Sequence, residues 1–303
     1  MWKRLGVVVA LLQLVGCGDD DPVASGSGGV GGGAGASMGG NASGGATASG
    51  GSAGSGGGGA GGAAGAGAGG SSSGGAGSGG GPTACDYQVG TSGVLVIEAE
   101  ALSLSGSWQI ASAEPGFTGS GYIVWTGASQ NNNPGQGLLS AALQFDTAGR
   151  YRFRFRNRIG QGTNTTEHND TWLRFPDAAA HYGMKLSNGL ESRRYPRPSC
   201  EDASFMAQLE SLAQVSSAGC PNGTSADGWL KVYSSGATNW SWSTNTSDND
   251  AHPLFVEIAA PGVFTLQLSA RADHHLLDRI VISREDVASS VAEDTSLGAT
   301  ACP

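Results

Sequence analysis

Glu98 and Glu100 close the run Val94-Leu95-Val96-Ile97-Glu98-Ala99-Glu100, whose β-branched content reads as a strand. Residues two apart on a strand share a face, so both carboxylates are expected to point the same way. Two anions held together repel unless a cation lies between them, and a hard cation such as calcium takes six to eight oxygen ligands. A second polar group is Glu167-His168-Asn169-Asp170 ahead of Trp172, and a third is Asp273-His274-His275. Carboxylates and imidazoles of this kind suit proton transfer, and glycoside hydrolysis needs two carboxyl groups flanking the bond. Among residues 85–303 there is no Gly-x-Ser-x-Gly and no His-Glu-x-x-His. A non-catalytic chain is therefore expected. Asn169 and Asp170 read most simply as a turn cap, with sugar hydroxyl contacts or a second metal as their alternative roles. The pair Trp240-Ser241-Trp242 offers flat apolar faces of the kind that pack on a pyranose ring.

The elements that must position these groups read as short strands. Arg150 to Arg156 alternates perfectly, with Tyr151, Phe153 and Phe155 on one side and four arginines on the other. Phe264–Leu268 alternates again, and Arg279–Ser283 closes the series. Turn signals separate the runs at Pro115-Gly116, Asn133-Pro134-Gly135, Ala148-Gly149 and Pro261-Gly262. The one helical window is about Asp202–Val215, with Phe205, Met206, Leu209 and Leu212 on one face. It lies within 176–228, which reads as an inserted loop with a short helix. Many short strands with turn punctuation predict an all-β, antiparallel β-sandwich.

Five cysteines are present: Cys17, Cys85, Cys200, Cys220 and Cys302. Four remain if Cys17 is modified, and four allow three pairings. The most economical is Cys200–Cys220, closing a short loop, with Cys85–Cys302 joining the two ends of the domain. No Cys-x-x-Cys occurs, which argues against a cysteine zinc site.

Composition sets the surroundings. Of 53 glycines, 33 lie in residues 1–84. Residues 23–84 carry no charge, and 30 of the 62 are Gly. Such a segment buries too little apolar surface to offset its ordering entropy, so a flexible coil spanning roughly 40–47 Å is expected. Residues 1–17, MWKRLGVVVALLQLVGC, have a basic start and an apolar stretch too short to cross a bilayer. They resemble a bacterial lipoprotein signal, with Leu14-Val15-Gly16-Cys17 as the lipobox and Cys17 as the lipidated residue. That resemblance implies a signal peptide over 1–16, a lipidated Cys and disordered linker over 17–84, and a folded domain over 85–303. It implies a place in the bacterial cell envelope, with the outer membrane expected, attached by lipid only. A net charge of −9 and a pI near 4.9 argue against nucleic acid as a partner.

Five motifs then come in a fixed order: Ile97-Glu98-Ala99-Glu100, Gly119-Ser120-Gly121-Tyr122, Gly149-Arg150-Tyr151, Trp240-Ser241-Trp242 and His275-Leu276-Leu277-Asp278-Arg279-Ile280. This order resembles the calcium-binding carbohydrate-binding modules of families 6 and 35, over about 94–283. The resemblance implies a jelly roll of the galactose-binding-domain-like kind. It implies a structural calcium on Glu98, Glu100 and Asp278, and a sugar held by Tyr122 with Trp240 or Trp242. The family usually has a polar residue, often Asn, where this chain has Leu276, so His275 becomes the candidate replacement contact. The expected function is polysaccharide capture by a surface-anchored monomer. The alternatives are a structural or protein-interaction lipoprotein with a degenerate sugar site, and a jelly-roll lyase or hydrolase.

Overall fold

The computed structural model describes residues 84–235 and 238–303. The expected signal peptide, Cys17 and almost all of the linker lie outside those residues.

Among the described residues sixteen strands follow one another in chain order. They are β1 (Tyr87–Gln88), β2 (Val94–Glu98), β3 (Trp108–Ala111), β4 (Tyr122–Trp125), β5 (Leu139–Phe145), β6 (Gly149–Ile159), β7 (Asp170–Arg174) and β8 (Ala180–Ser187). Then come β9 (Leu190–Arg194), β10 (Val215–Gly219), β11 (Ser225–Ala226), β12 (Trp229–Tyr233), β13 (Asn245–Thr246), β14 (His252–Ile258), β15 (Gly262–Ala270) and β16 (His275–Arg284). Two short helices are α1 (Ala203–Glu210) and α2 (Ser289–Ala292).

The strands form two faces joined through β13. One face runs β1-β5-β15-β7-β12. The other places β14, β6 and β16 side by side, with β2 and β4 sharing the far edge of β16 and β3 on β4. All pairings are antiparallel except β1 with β5 and β9 with β10. This is the all-β sandwich that the alternation predicts. Its core is the meeting of the two inner faces: Leu139, Leu143 and Phe145 of β5 and Leu266 and Leu268 of β15 pack toward Tyr151, Phe153 and Phe155 of β6 and Ile280 and Ile282 of β16. The arginine stripe faces away from this core, and three of its four members are ion-paired, while Arg152 has a buried Nε without a partner. Arg150 meets Glu191, Glu257 and Glu285; Arg154 meets Glu293; Arg156 meets Asp278.

β16 is buried along nine of its ten residues. Its register against β6 slips by one residue between Leu277 and Arg279, leaving Asp278 as a bulge. A bulge re-aims side chains locally. Leu277 and Ile280, three apart, therefore both enter the core, while Asp278 and Arg279 turn toward the loop before β4.

The segment 176–228 is more ordered than a loop with a helix. It adds three strands to the second face: β8 pairs with β14, β9 with β8, and β10 with β9. Its own small core holds Tyr182, Met184, Tyr195, Leu209 and Phe255. The helix is shorter than expected, Ala203–Glu210, because Asp202 caps its first amides and the chain leaves the helix at Ser211. Leu212 lies beyond it and is exposed.

Both expected disulfides are present, Cys85–Cys302 and Cys200–Cys220, with sequence separations of 217 and 20. In the loop-entropy account the first stabilises by about 5 kcal/mol and the second by about 3 kcal/mol. Replacing Cys85 and Cys302 by Ala should therefore lower the unfolding free energy more than replacing Cys200 and Cys220. Urea titration of the two double variants measures this, and an equal loss would show that the longer closure contributes nothing extra.

Candidate functional site

The three expected metal carboxylates meet one loop. The strand ends at Glu98 and the chain turns into a 3-10 helix over Ala99–Ala101, so strand alternation does not aim Glu100. The common focus is the loop before β4 instead. Thr118 Oγ1 donates to Glu98 Oε2 at 2.8 Å, Thr118 N donates to Asp278 Oδ1 at 2.8 Å, and Ser120 N donates to Glu100 Oε1 at 2.6 Å. Gly119 allows this approach: its φ is +63°, and a Cβ there would lie 2.2 Å from Glu100 Oε1. The trio does not close to mutual ligand distance, because Glu98 pairs with Arg279 and Asp278 with Arg156. Burial pushes the Asp278 carboxyl up, against the pull of Arg156 and Thr118. Glu100 Oε2 is buried with no hydrogen-bond partner. An all-oxygen set with one orphaned carboxylate oxygen fits a hard cation.

The aromatic residues are arranged otherwise than expected. Tyr122 is 3% exposed and Trp240 lies edge-on against it, ring centroids 5.3 Å apart at 60°. Leu276 and Val124 pack in the same cluster. Trp240 Nε1 donates to Pro115 O at 2.9 Å, and Arg156 and Arg158 lie over its ring. The two rings touch, so no slot for a sugar ring separates them. Trp242 belongs to a different cluster, with Val94, Val96 and Val281, because residues 240–242 do not form an extended strand. His275 cannot reach a ligand: it is 0% exposed, with Nδ1 on Thr171 Oγ1 at 2.8 Å and Nε2 on Asn157 Oδ1 at 3.1 Å. Asn169 is buried and donates to Ser234 O at 2.9 Å.

A polar groove missed by sequence reasoning lies on the first face. Antiparallel pairing of β7 and β12 sets Asp170 opposite Tyr233 and Thr171 opposite Val232. The groove over this edge is lined by Thr165, Asn169, Tyr233, Ser234, Asp248 and Asn249 and holds about 650 Å³. It adjoins a cavity of about 460 Å³ that reaches His168, Asp170, Arg271 and Asp273. Thr166, Asn169 and Lys231 line both. Six buried side-chain atoms among the described residues lack a hydrogen-bond partner, and three belong to residues that line these two hollows: Ser234 Oγ, Asp170 Oδ1 and Arg271 Nε. Buried polar atoms are normally satisfied, so such a concentration marks a surface built for a polar ligand or ordered water. Asp170 is itself ion-paired to Arg271, whose guanidinium lies over Trp172. Four of the residues considered for acid–base work, His168, Asp170, Asp273 and Glu167, thus share one cavity.

Burial holds the His275 imidazole down to about 3, against an ordinary value of 6.5. The folded form is neutral, whereas the unfolded chain takes up a proton as pH falls through 6.5. The unfolded state then binds more protons, and stability is lost as pH drops from 6.5 toward 3. Replacing His275 by Gln should shrink the drop in unfolding free energy between pH 7 and pH 5 by about 2 kcal/mol. Chemical melts at the two pH values test it, and an unchanged drop would count against a neutral buried His275.

No protein-family model matches the sequence, and no curated protein matches it. Solved structures with some likeness include a Podospora anserina GH26-CBM35 β-(1,4)-mannanase, at 12% identity and a TM-score of 0.31 over 63% of this chain and 28% of that one. The chain therefore spans under a third of that enzyme. A family 35 carbohydrate binding module from Clostridium thermocellum is 14% identical with a TM-score of 0.32, over 63% of this chain and 98% of the module. A CBM35 from Cellvibrio japonicus is 15% identical with a TM-score of 0.32, over 69% and 96%. Likeness at this level is too weak to carry residues or ligands across.

Proposed function

We propose that the chain is a non-catalytic glycan-capturing lipoprotein, held in the cell envelope through Cys17, that binds a polysaccharide in the polar groove over β7 and β12. The observation that carries this is the polar lining of two adjoining hollows, with Thr165, Asn169, Tyr233 and Asp248 in one and Asp170, Arg271 and Asp273 in the other. A polyhydroxylated ligand offers donors and acceptors to both. Tyr233 adds a partly exposed aromatic face in the same groove, where a pyranose C–H surface can pack. The lipid and the glycine-rich segment would present the domain to polymer outside the membrane, and tethering raises the effective concentration of ligand.

A structural or protein-interaction role is the second reading. It is favoured by the contact between Tyr122 and Trp240 and by Leu276 beneath them, which leave the expected aromatic slot filled. A polysaccharide panel separates the two. The glycan reading expects Tyr233→Ala to weaken binding about tenfold, the loss of one aromatic contact of ~1.4 kcal/mol, while Trp240→Ala leaves affinity nearly unchanged. If a folded chain binds no glycan, the interaction role takes precedence. If only Trp240→Ala abolishes binding, the groove is the wrong surface.

We assign calcium, as a structural ion, to the loop at Thr118–Ser120. Glu100 would supply the oxygen that now lacks a partner, with Glu98 and Asp278 at its margin. Calcium at a hundred times its dissociation constant should add about 2.7 kcal/mol to stability. Thermal melts with calcium and with EDTA should therefore differ, and Glu100→Gln should erase the difference. Identical melts for the unaltered chain would refute the assignment.

A further inference from the structure

We propose that His168, Asp273 and His274 form a second cation site of a different kind, one that takes a borderline divalent metal such as zinc. It borders the hollow assigned to the glycan but does not require that a glycan binds there.

Among the described residues these are the one group of three His, Cys, Asp or Glu side chains whose ligand atoms all lie within 4.8 Å of one another. His168 precedes β7 and His274 precedes β16, 106 positions apart in the chain. They meet because β15 pairs with β7, and the β15–β16 connection then folds back so that Ala272 N donates to Asp170 O at 3.1 Å. The two imidazole centroids are 5.7 Å apart. Asp273 lies between the rings: His168 Nδ1 is 3.2 Å from Oδ1 and His274 Nδ1 is 3.1 Å from Oδ2. Both rings turn Nδ1 toward Asp273, and His168 Nδ1 also lies 2.8 Å from Asp273 O, so a cation between them would take the two Nδ1 atoms with a carboxylate oxygen. Asp273 then ligates directly, and the cation takes the place of the protons these contacts now share.

Two further observations point the same way. His275 and His252 are bonded through both ring nitrogens, whereas His168 and His274 use Nδ1 alone, both on Asp273. His168 and His274 both adopt left-handed backbone conformations, with φ of 52° and 55°. Histidine is among the residues that tolerate this region, so the conformation directs the rings without marking strain. Finally, Asp170 is 6% exposed and lines the cavity that His168 and Asp273 also line, yet its Oδ1 has no partner. Water on an open metal position is the kind of donor that oxygen lacks.

Donor chemistry selects the metal. Two imidazoles with one carboxylate suit zinc and its neighbours, whereas calcium and magnesium prefer oxygen alone. Tetrahedral zinc with bonds near 2.0–2.1 Å sets its ligand atoms about 3.4 Å apart, so closing the cluster needs a movement of about 1 Å. The side chains are partly exposed, and such an adjustment is open to them.

The test is zinc titration of the chelator-stripped full chain by calorimetry, with cobalt substitution read by visible absorption. One ion per chain is expected, at an affinity that excess calcium does not reduce. His168→Asn and His274→Asn should each weaken uptake at least tenfold and remove the cobalt signal. Asn accepts left-handed backbone, so both variants should fold, which a melt without metal checks. Glu100→Gln should leave zinc uptake intact. The proposal is overturned if no zinc binds, if either histidine variant binds as tightly as the parent, or if calcium competes.

Discussion

The pairing of β16 with β6 and β2 is the constraint on which the rest depends. β16 lies at the centre of its sheet, and almost all of it is out of water. Its register decides where each neighbouring group goes. The bulge at Asp278 lets Leu277 and Ile280 both fill the core. It also sends an acid and an arginine to Thr118. Just before it, Leu276 packs with Trp240, His275 goes inside and His274 lies beside Asp273. Burying Asp278 is tolerable only because Arg156 and two Thr118 donors meet it. The acidic loop is therefore as much a consequence of the strand register as of the residues in the loop.

Much of this architecture was legible in the residues. Arg150–Arg156 alternates because its two faces meet different surroundings, and Tyr151, Phe153 and Phe155 all lie in the core. Cys85 and Cys302 lie at the two ends of the folded segment, and the ends do meet. The pairing of first and last strands follows from the same closure. The inserted strands were harder to see. In Ala180–Ser187 the inward Tyr182 and Met184 are separated by a glycine, and Leu186 is exposed, so the alternation is weak.

The candidate sites were less legible, for a physical reason. Alternation assigns faces only while a strand stays regular. The strand breaks after Glu98, and one extra residue at Asp278 reverses parity, so residue spacing misjudges where these side chains point. Trp240 and Trp242 illustrate the same failure: spacing suggests a shared face, but an irregular backbone sends them to separate clusters. The groove and the histidine pair depend on β7 lying between β15 and β12, which no local pattern announces.

The Cys85–Cys302 bridge has a mechanical consequence. Under the proposed anchoring, tension between the envelope and a captured polymer enters the fold at residue 85. There the covalent path divides. One branch runs through β1 into β2; the other crosses the sulfurs and runs back through residues 285–301 to β16. β2 and β16 are themselves hydrogen-bonded partners. A pull that would peel a single terminal strand is thus delivered to both members of a pair at once. Drag on the polymer then loads the sheet in parallel rather than unzipping it from one end.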